Sequence, residues 1–171
     1  GNMWKFDVTS ANPATWDSDF VSAGTPDPLF TTPAGQPITS QPQATLHPDD
    51  LGGFMVFFGT GKYVEILDND PTGQPTQAFY GIWDKNTGSL TPFNSSDLLD
   101  QTITNRYAQS FDTDDDGLDD RTFTLQDVSD NEISWDTHMG WKLELMPENV
   151  EGSANVSNFG ERQVTDAIVR G

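Results

Sequence analysis

The sequence predicts an all-β chain, an antiparallel meander with long loops, on three observations. Fifteen glycines and eleven prolines punctuate it at short intervals. Eleven phenylalanines, five tryptophans and three tyrosines fall largely in the short β-prone runs between those turns. Apolar residues seldom recur at helical spacing.

The elements follow in order. Met3 to Val8 alternates Met, Lys and Asp against Trp, Phe and Val, the period-two pattern of a half-buried strand. Ala11 to Gln43 holds six prolines and reads as loop. Gly52 to Gly59 encloses Phe54-Met55-Val56-Phe57-Phe58, apolar at both parities, as in a central strand covered on both faces. Gln77 to Asp84, Arg121 to Gln126, Glu132 to Trp135, Trp141 to Met146 and Arg162 to Val169 are further candidate strands. Asp84 to Asp97 and Pro147 to Phe159 are polar connections, the first followed by a short helix if Ser96-Asp97 caps Leu98-Leu99-Asp100. No repeat of fixed period occurs, which argues against a regular solenoid.

Composition narrows the function classes. Twenty-seven acidic residues against eight basic ones give a formal charge of -19, which repels phosphate backbones and anionic membrane surfaces and favours cations or basic partners. Nucleic acid is thereby a poor partner. The longest apolar run, Phe54 to Phe58, is far short of the roughly 18 residues a membrane helix needs, so no membrane insertion is expected. Gly1-Asn2-Met3 opens no basic-then-apolar leader, and the chain reads as an excised piece. With no cysteine there is no disulfide, thiol catalysis or thiolate metal site, although export remains compatible.

One motif is sharp. Asp112-Thr113-Asp114-Asp115-Asp116-Gly117-Leu118-Asp119-Asp120 has the pattern DxDxDGxxD. A hard divalent cation needs six or seven oxygens at about 2.4 Å, and a tightly wound loop turns alternate side chains inward while a glycine at the sixth position permits the bend. Asp112, Asp114 and Asp116 would supply carboxylate oxygens, Leu118 its backbone carbonyl, and Asp120 an oxygen directly or through water. Phe123 occupies the twelfth position, where an EF-hand has glutamate, and Arg121-Thr122-Phe123-Thr124-Leu125 reads as strand, so the loop is a shorter calcium loop between strands. A solvated acidic turn is the bland alternative, but six aspartates within nine residues repel one another unless a cation neutralises them. Magnesium is the weaker candidate, because it keeps a small octahedral shell of waters.

Other constellations fail. Gly59-Thr60-Gly61-Lys62 has Val56 where a phosphate loop needs its first glycine and Tyr63 where it needs Ser or Thr, so it reads as a strand-ending turn. His47 and His138 have no metal-binding spacing and suit a turn or an interface. Asp136 and His138 lack a Gly-x-Ser-x-Gly nucleophile elbow. Glu65, Asp68, Asp84 and Asp136 could pair as in a glycosidase, but among 27 acids that signal is not specific. Trp4, Trp83, Trp135 and Trp141 lie in strand-like runs and are expected to pack in the core.

Several segments in order along nearly the whole chain resemble the C-terminal domain of the PilY1/PilC family of type IV pilus tip-associated biogenesis factors and adhesins. They are Gly1 to Asp7, Pro37-Ile38-Thr39, His47-Pro48, Met55 to Tyr63, Thr76 to Asp84, Gly140-Trp141-Lys142-Leu143 and Gly160 to Thr165. The resemblance implies a partial, modified β-propeller of quinoprotein-like type, with residues 1–171 a single fragment supplying later blades and carrying the calcium loop at 112–120. It further implies an exported protein at the bacterial surface, pilus tip or outer membrane that supports pilus assembly, attachment and twitching motility. Its partners would be pilus components such as minor pilins, and a host or surface receptor. In the family such a loop often precedes the Gly-Asn-x-Trp-Lys-Phe-Asp strand, whereas here it follows it. The expectation is thus a non-enzymatic, calcium-binding surface module; the alternatives are a propeller-scaffold enzyme, a quinone-dependent dehydrogenase or glycosidase, and a purely structural calcium domain.

Overall fold

The computed structural model describes residues 1–87, 93–153 and 157–169. Residues 88–92 of the connection expected over Asp84 to Asp97, and 154–156 of that over Pro147 to Phe159, lie outside the described residues. Thirteen strands follow in order: β1 (Asn2–Met3), β2 (Phe6–Asp7), β3 (Asp17–Ser18), β4 (Val21–Ser22), β5 (Thr25–Pro26), β6 (Phe30–Thr31), β7 (Gln43–Leu46), β8 (Phe54–Gly59), β9 (Ala78–Asp84), β10 (Phe93–Asn94), β11 (Leu99–Phe111), β12 (Arg121–Val128) and β13 (Gly140–Pro147). Three 3₁₀ turns, Pro13–Thr15, Ile66–Asn69 and Ser95–Asp97, are the remaining regular elements among the described residues. The chain is all-β.

Six strands form the principal sheet in the order β12-β11-β13-β9-β8-β7. Its pairs are antiparallel except β11 with β13, where Leu99 to Gln101 run parallel to Trp141 to Leu143. The crossover arises because β12 returns along the outer edge of β11 before the chain comes back through residues 129–139 to insert β13 between β11 and β9. A second sheet, β1-β6-β10, lies over the first. It brings Phe30 to within ring-centroid distances of 6.0 Å of Phe58, 5.4 Å of Tyr80 and 5.5 Å of Phe93. With Met3, Ile82 and Leu98 these rings make the core, each buried large side chain contributing roughly 1.5–3 kcal/mol.

The strands expected over Gly52 to Gly59, Gln77 to Asp84, Arg121 to Gln126 and Trp141 to Met146 correspond to β8, β9, β12 and β13. On β8, Met55 and Phe58 have opposite parity and both are buried, so the strand is covered on both faces as its unbroken apolar run implies. Other expectations need correction. Met3 to Val8 is two short strands in different sheets, and Trp4, Phe6 and Val8 are exposed because Lys5 is drawn away to Asp19 and Asp84. Glu132 to Trp135 is no strand; Thr137 and His138 donate their N–H groups to the Ser134 carbonyl in a tight turn. Arg162 to Val169 is an irregular strap, fixed by Gln163 N–H to the Thr60 carbonyl and Asp166 to the Gln41 N–H. Ala11 to Gln43 carries β3 to β6 as minimal two-residue pairings. The short helix expected over Leu98-Leu99-Asp100 does not form: a 3₁₀ turn at Ser95–Asp97, capped by Asn94 and Asp97, precedes it, and Leu99 and Asp100 open β11. Of the four tryptophans assigned to the core, only Trp83 is buried, at 6 % exposure, while Trp4 is 40 % exposed.

The longest strand, β11, has no counterpart in the sequence reading. Its thirteen residues, Leu-Asp-Gln-Thr-Ile-Thr-Asn-Arg-Tyr-Ala-Gln-Ser-Phe, bury only Ile103 fully. It is extended because its backbone is paired on both sides, with β13 from Leu99 to Ile103 and with β12 from Ile103 to Phe111. Past Asn105 the β11–β12 hairpin is largely solvent-exposed, and Phe111 packs edge-on against Phe123 at 5.6 Å near its tip. The acidic loop is the turn of this hairpin.

Candidate metal centre

The hairpin closes through Asp120 N–H donating to the Phe111 carbonyl at 3.0 Å, which leaves residues 112–119 to form the turn. Asp112 organises it. Its Oδ1 accepts from the N–H of Asp115 at 2.7 Å, with longer bonds from Asp114 and Asp116 at 3.3 Å, and its Oδ2 accepts from Gly117 N–H at 2.8 Å. Asp116 Oδ1 accepts from Leu118 N–H at 2.8 Å. The winding needs left-handed backbone at Asp115, φ 63°, and at Gly117, φ 87°, the first tolerated by aspartate and the second natural to glycine.

These turns bring carboxylate oxygens of Asp112, Asp114 and Asp116 within 4.8 Å of one another. Oxygens on a sphere about 2.4 Å around one ion are separated by at most about 4.8 Å, so the trio lies within the span that one calcium ion can bridge. Each carboxylate oxygen has two lone pairs, so the backbone bonds to Asp112 leave acceptor capacity for a cation. The Gly117 N–H first, and then those of Asp115, Asp116 and Asp114, hold the Asp112 carboxyl below the usual carboxylate range, keeping it ionised.

Asp120 stands apart from the trio. Its Oδ2 accepts from the Thr113 hydroxyl at 2.7 Å and the Thr113 N–H at 2.8 Å, and the hydroxyl bond leads in lowering its pKa. Thr113, unremarked in the sequence, therefore ties the two ends of the turn together. Leu118 sits at the tip with its side chain 70 % exposed. All six aspartates of the loop are exposed.

The other candidate chemistry disperses. Asp84 is buried and paired with Lys5 at 2.9 Å, while Asp68 and Glu65 share Lys62. Asp136 is exposed. His138 touches only the Thr137 hydroxyl, at 3.5 Å, among the polar side chains described. His47 is buried between Trp83 and Trp135, with ring centroids at 4.7 and 4.3 Å, and its Nδ1 accepts from Asp49 N–H. It is an aromatic packing residue.

Comparison with known proteins adds the lineage. A family model described as the PilY1 beta-propeller domain matches residues 1–116, taking in Asp112, Asp114 and Asp116. Two curated proteins named type IV pilus biogenesis factor PilY1, from Pseudomonas aeruginosa strains PAO1 and PAK, are 30% identical over alignments covering 100% of this chain and 16% of each relative. The chain thus spans about a sixth of the length of these relatives. Among solved structures, the crystal structure of the Pseudomonas aeruginosa PilY1 C-terminal domain superposes with a TM-score of 0.73 at 29% identity, over 98% of this chain and 37% of that one.

Proposed function

The chain belongs to the PilY1 β-propeller family, and from that membership we propose that it is a calcium-binding, non-enzymatic surface module of a type IV pilus biogenesis factor. The single observation that supports the metal reading is the convergence of Asp112, Asp114 and Asp116 at the tip of an exposed hairpin. An ion there cancels part of the loop's charge and orders a segment that otherwise has six mutually repelling carboxylates. Its partner-facing surface would then change with calcium occupancy. The pilus role rests on the names of the curated relatives, and partnership with pilus components such as minor pilins, or with a surface receptor, follows from it. So does an exported location at the bacterial surface, the pilus tip or the outer membrane. No helix of the described residues is long and apolar enough to cross a membrane.

The test of this function replaces Asp112 and Asp116 by alanine in the full-length parent protein and counts surface pili, surface attachment and twitching with calcium present. The variant is expected to reach the surface and lose calcium-dependent piliation or attachment. Wild-type behaviour in all three assays contradicts the reading.

A further inference from the structure

A cleft of about 430 Å³ lies between two segments remote from the acidic hairpin loop, one running from Tyr63 to Pro71 after β8 and the other from Phe159 to Val164 in the irregular strap. We propose that it binds a carboxylate carried on an apolar peptide segment of a partner protein, with Arg162 as the anion-recognising group.

Arg162 is set like a fixed tool. Its Nε donates to the Gly160 carbonyl at 2.9 Å and its Nη1 to the Lys62 carbonyl at 2.8 Å, and the guanidinium lies 5.8 Å from the centre of the Tyr63 ring. Those bonds immobilise the group without neutralising it, and Nη2 has no hydrogen-bond partner among the described residues. Arg162, like Lys85 and Arg121, has no carboxylate of a described residue within 4.0 Å, although the chain carries 27 acids against eight bases, while Lys5, Lys62, Lys142 and Arg106 are paired. The one acid that lines the cleft, Asp68, is buried and occupied: its Oδ2 accepts from the N–H groups of Val64 and Glu65, and Lys62 stands 3.6 Å from Oδ1.

Two further polar groups line the same cleft and make no hydrogen bond to a described residue, the Tyr63 hydroxyl and the Asn69 side-chain amide. A guanidinium edge, a hydroxyl and an amide are the donors a carboxylate takes. The remaining walls, Pro71, Phe159 and Val164, are apolar. Continuous with the mouth, Val64, Ile66 and Leu67 are 82%, 90% and 73% exposed on a turn held rigid by reciprocal bonds between Glu65 and Asp68. Such a ridge of large apolar side chains marks a contact surface rather than ordinary solvent exposure. It extends beyond what a small carboxylate covers, which favours a peptide segment. The net charge of -19 disfavours multiply charged anions and leaves a single carboxylate, compensated locally by Arg162, as the anion the site tolerates.

The experiment is a nitrogen-edited NMR titration of this chain in calcium, following the Arg162 side-chain Nε–H and the Gly160 and Val164 amides. The probes are N-acetylphenylalanine, its neutral amide, N-acetyl-Asp-Phe-amide and inorganic phosphate. Either carboxylate probe is expected to bind roughly tenfold or more tightly than N-acetylphenylalanine amide, as loss of a charge-assisted hydrogen bond implies. The tighter of the two identifies a chain terminus or an acidic side chain as the source. Arg162→Lys is expected to lose that preference. Asn69→Ala, at an exposed residue whose side chain holds nothing in place, is expected to weaken the acid about threefold with the fold intact. Equal binding of acid and amide overturns the proposal. So does absence of shifts at 50 mM probe, phosphate binding as tightly as either carboxylate, or unchanged acid affinity in both variants.

Discussion

Gly140 opens β13 where it meets β9, and replacing it by alanine tests whether that junction is as tight as its geometry implies. A Cβ built there lies 2.1 Å from the Gly81 carbonyl oxygen and 2.9 Å from the Ile82 Cα, and the residue's φ is +128°. Both neighbours are backbone of the strand paired with β13, so neither can rotate away. An L side chain held at such a φ costs about 1–3 kcal/mol, and displacing packed backbone adds about 1–3 kcal/mol more. Gly140→Ala is therefore expected to lose about 4 kcal/mol, roughly 10 °C in Tm for a domain of this size. Gly24→Ala is the control: its φ is +80° but nothing lies within 4 Å of the added carbon, so the loss is about 1 kcal/mol. Thermal unfolding followed by circular dichroism, at fixed calcium, separates the two. Equal shifts for both variants would refute the claim that the β9–β13 contact, and not glycine's conformation alone, sets the difference.

Two further outcomes follow. The Tyr80 hydroxyl, on a side chain 1% exposed, donates to Gln36 Oε1 at 2.5 Å, so Tyr80→Phe leaves a buried acceptor unmet and is expected to lose about 1–3 kcal/mol; Gln36→Leu combined with it should lose less than the sum of the two single changes, as measured by urea unfolding. Alkaline pH should destabilise the chain: burial, then the charges of Glu144 and Asp100, push the Tyr80 hydroxyl above the usual tyrosine range. Burial works against the charge on Lys5, yet its hydrogen bonds to the Asp19 and Asp84 carboxylates overcome it and hold its amine above the usual lysine range. Both groups bind protons more tightly folded than unfolded, so their stability is complete below about pH 10 and is lost as pH rises from there. A urea midpoint that is level from pH 9 to pH 11.5 contradicts this.

The sequence is informative where side chains decide structure and silent where backbone does. The unbroken run Phe54 to Phe58 marks β8 because both its faces are buried, and the turn residues around Ala78 to Asp84 mark β9. β11 was illegible because Gln101, Thr102, Thr104, Asn105 and Gln109 carry no apolar alternation; pairing along both edges makes the strand. Conversely, the alternation of Trp4, Phe6 and Val8 predicted a buried face, but the ion pairs of Lys5 turn that face outward. At the acidic loop, the spacing of Asp112, Asp114 and Asp116 anticipated their convergence. The bond of Asp120 to Thr113 depends on the closed hairpin and cannot be read from spacing. Arg162 was invisible as a recognition group because its exposure to the cleft is created by residues about a hundred positions away.

Isothermal titration calorimetry of calcium into the wild-type chain and into Asp116→Ala tests the central claim most directly. One ion is expected to bind the wild type, with affinity falling at least about tenfold when one of three converging carboxylates is removed. Equal affinities in the two proteins, or no binding to the wild type at millimolar calcium, would contradict the account.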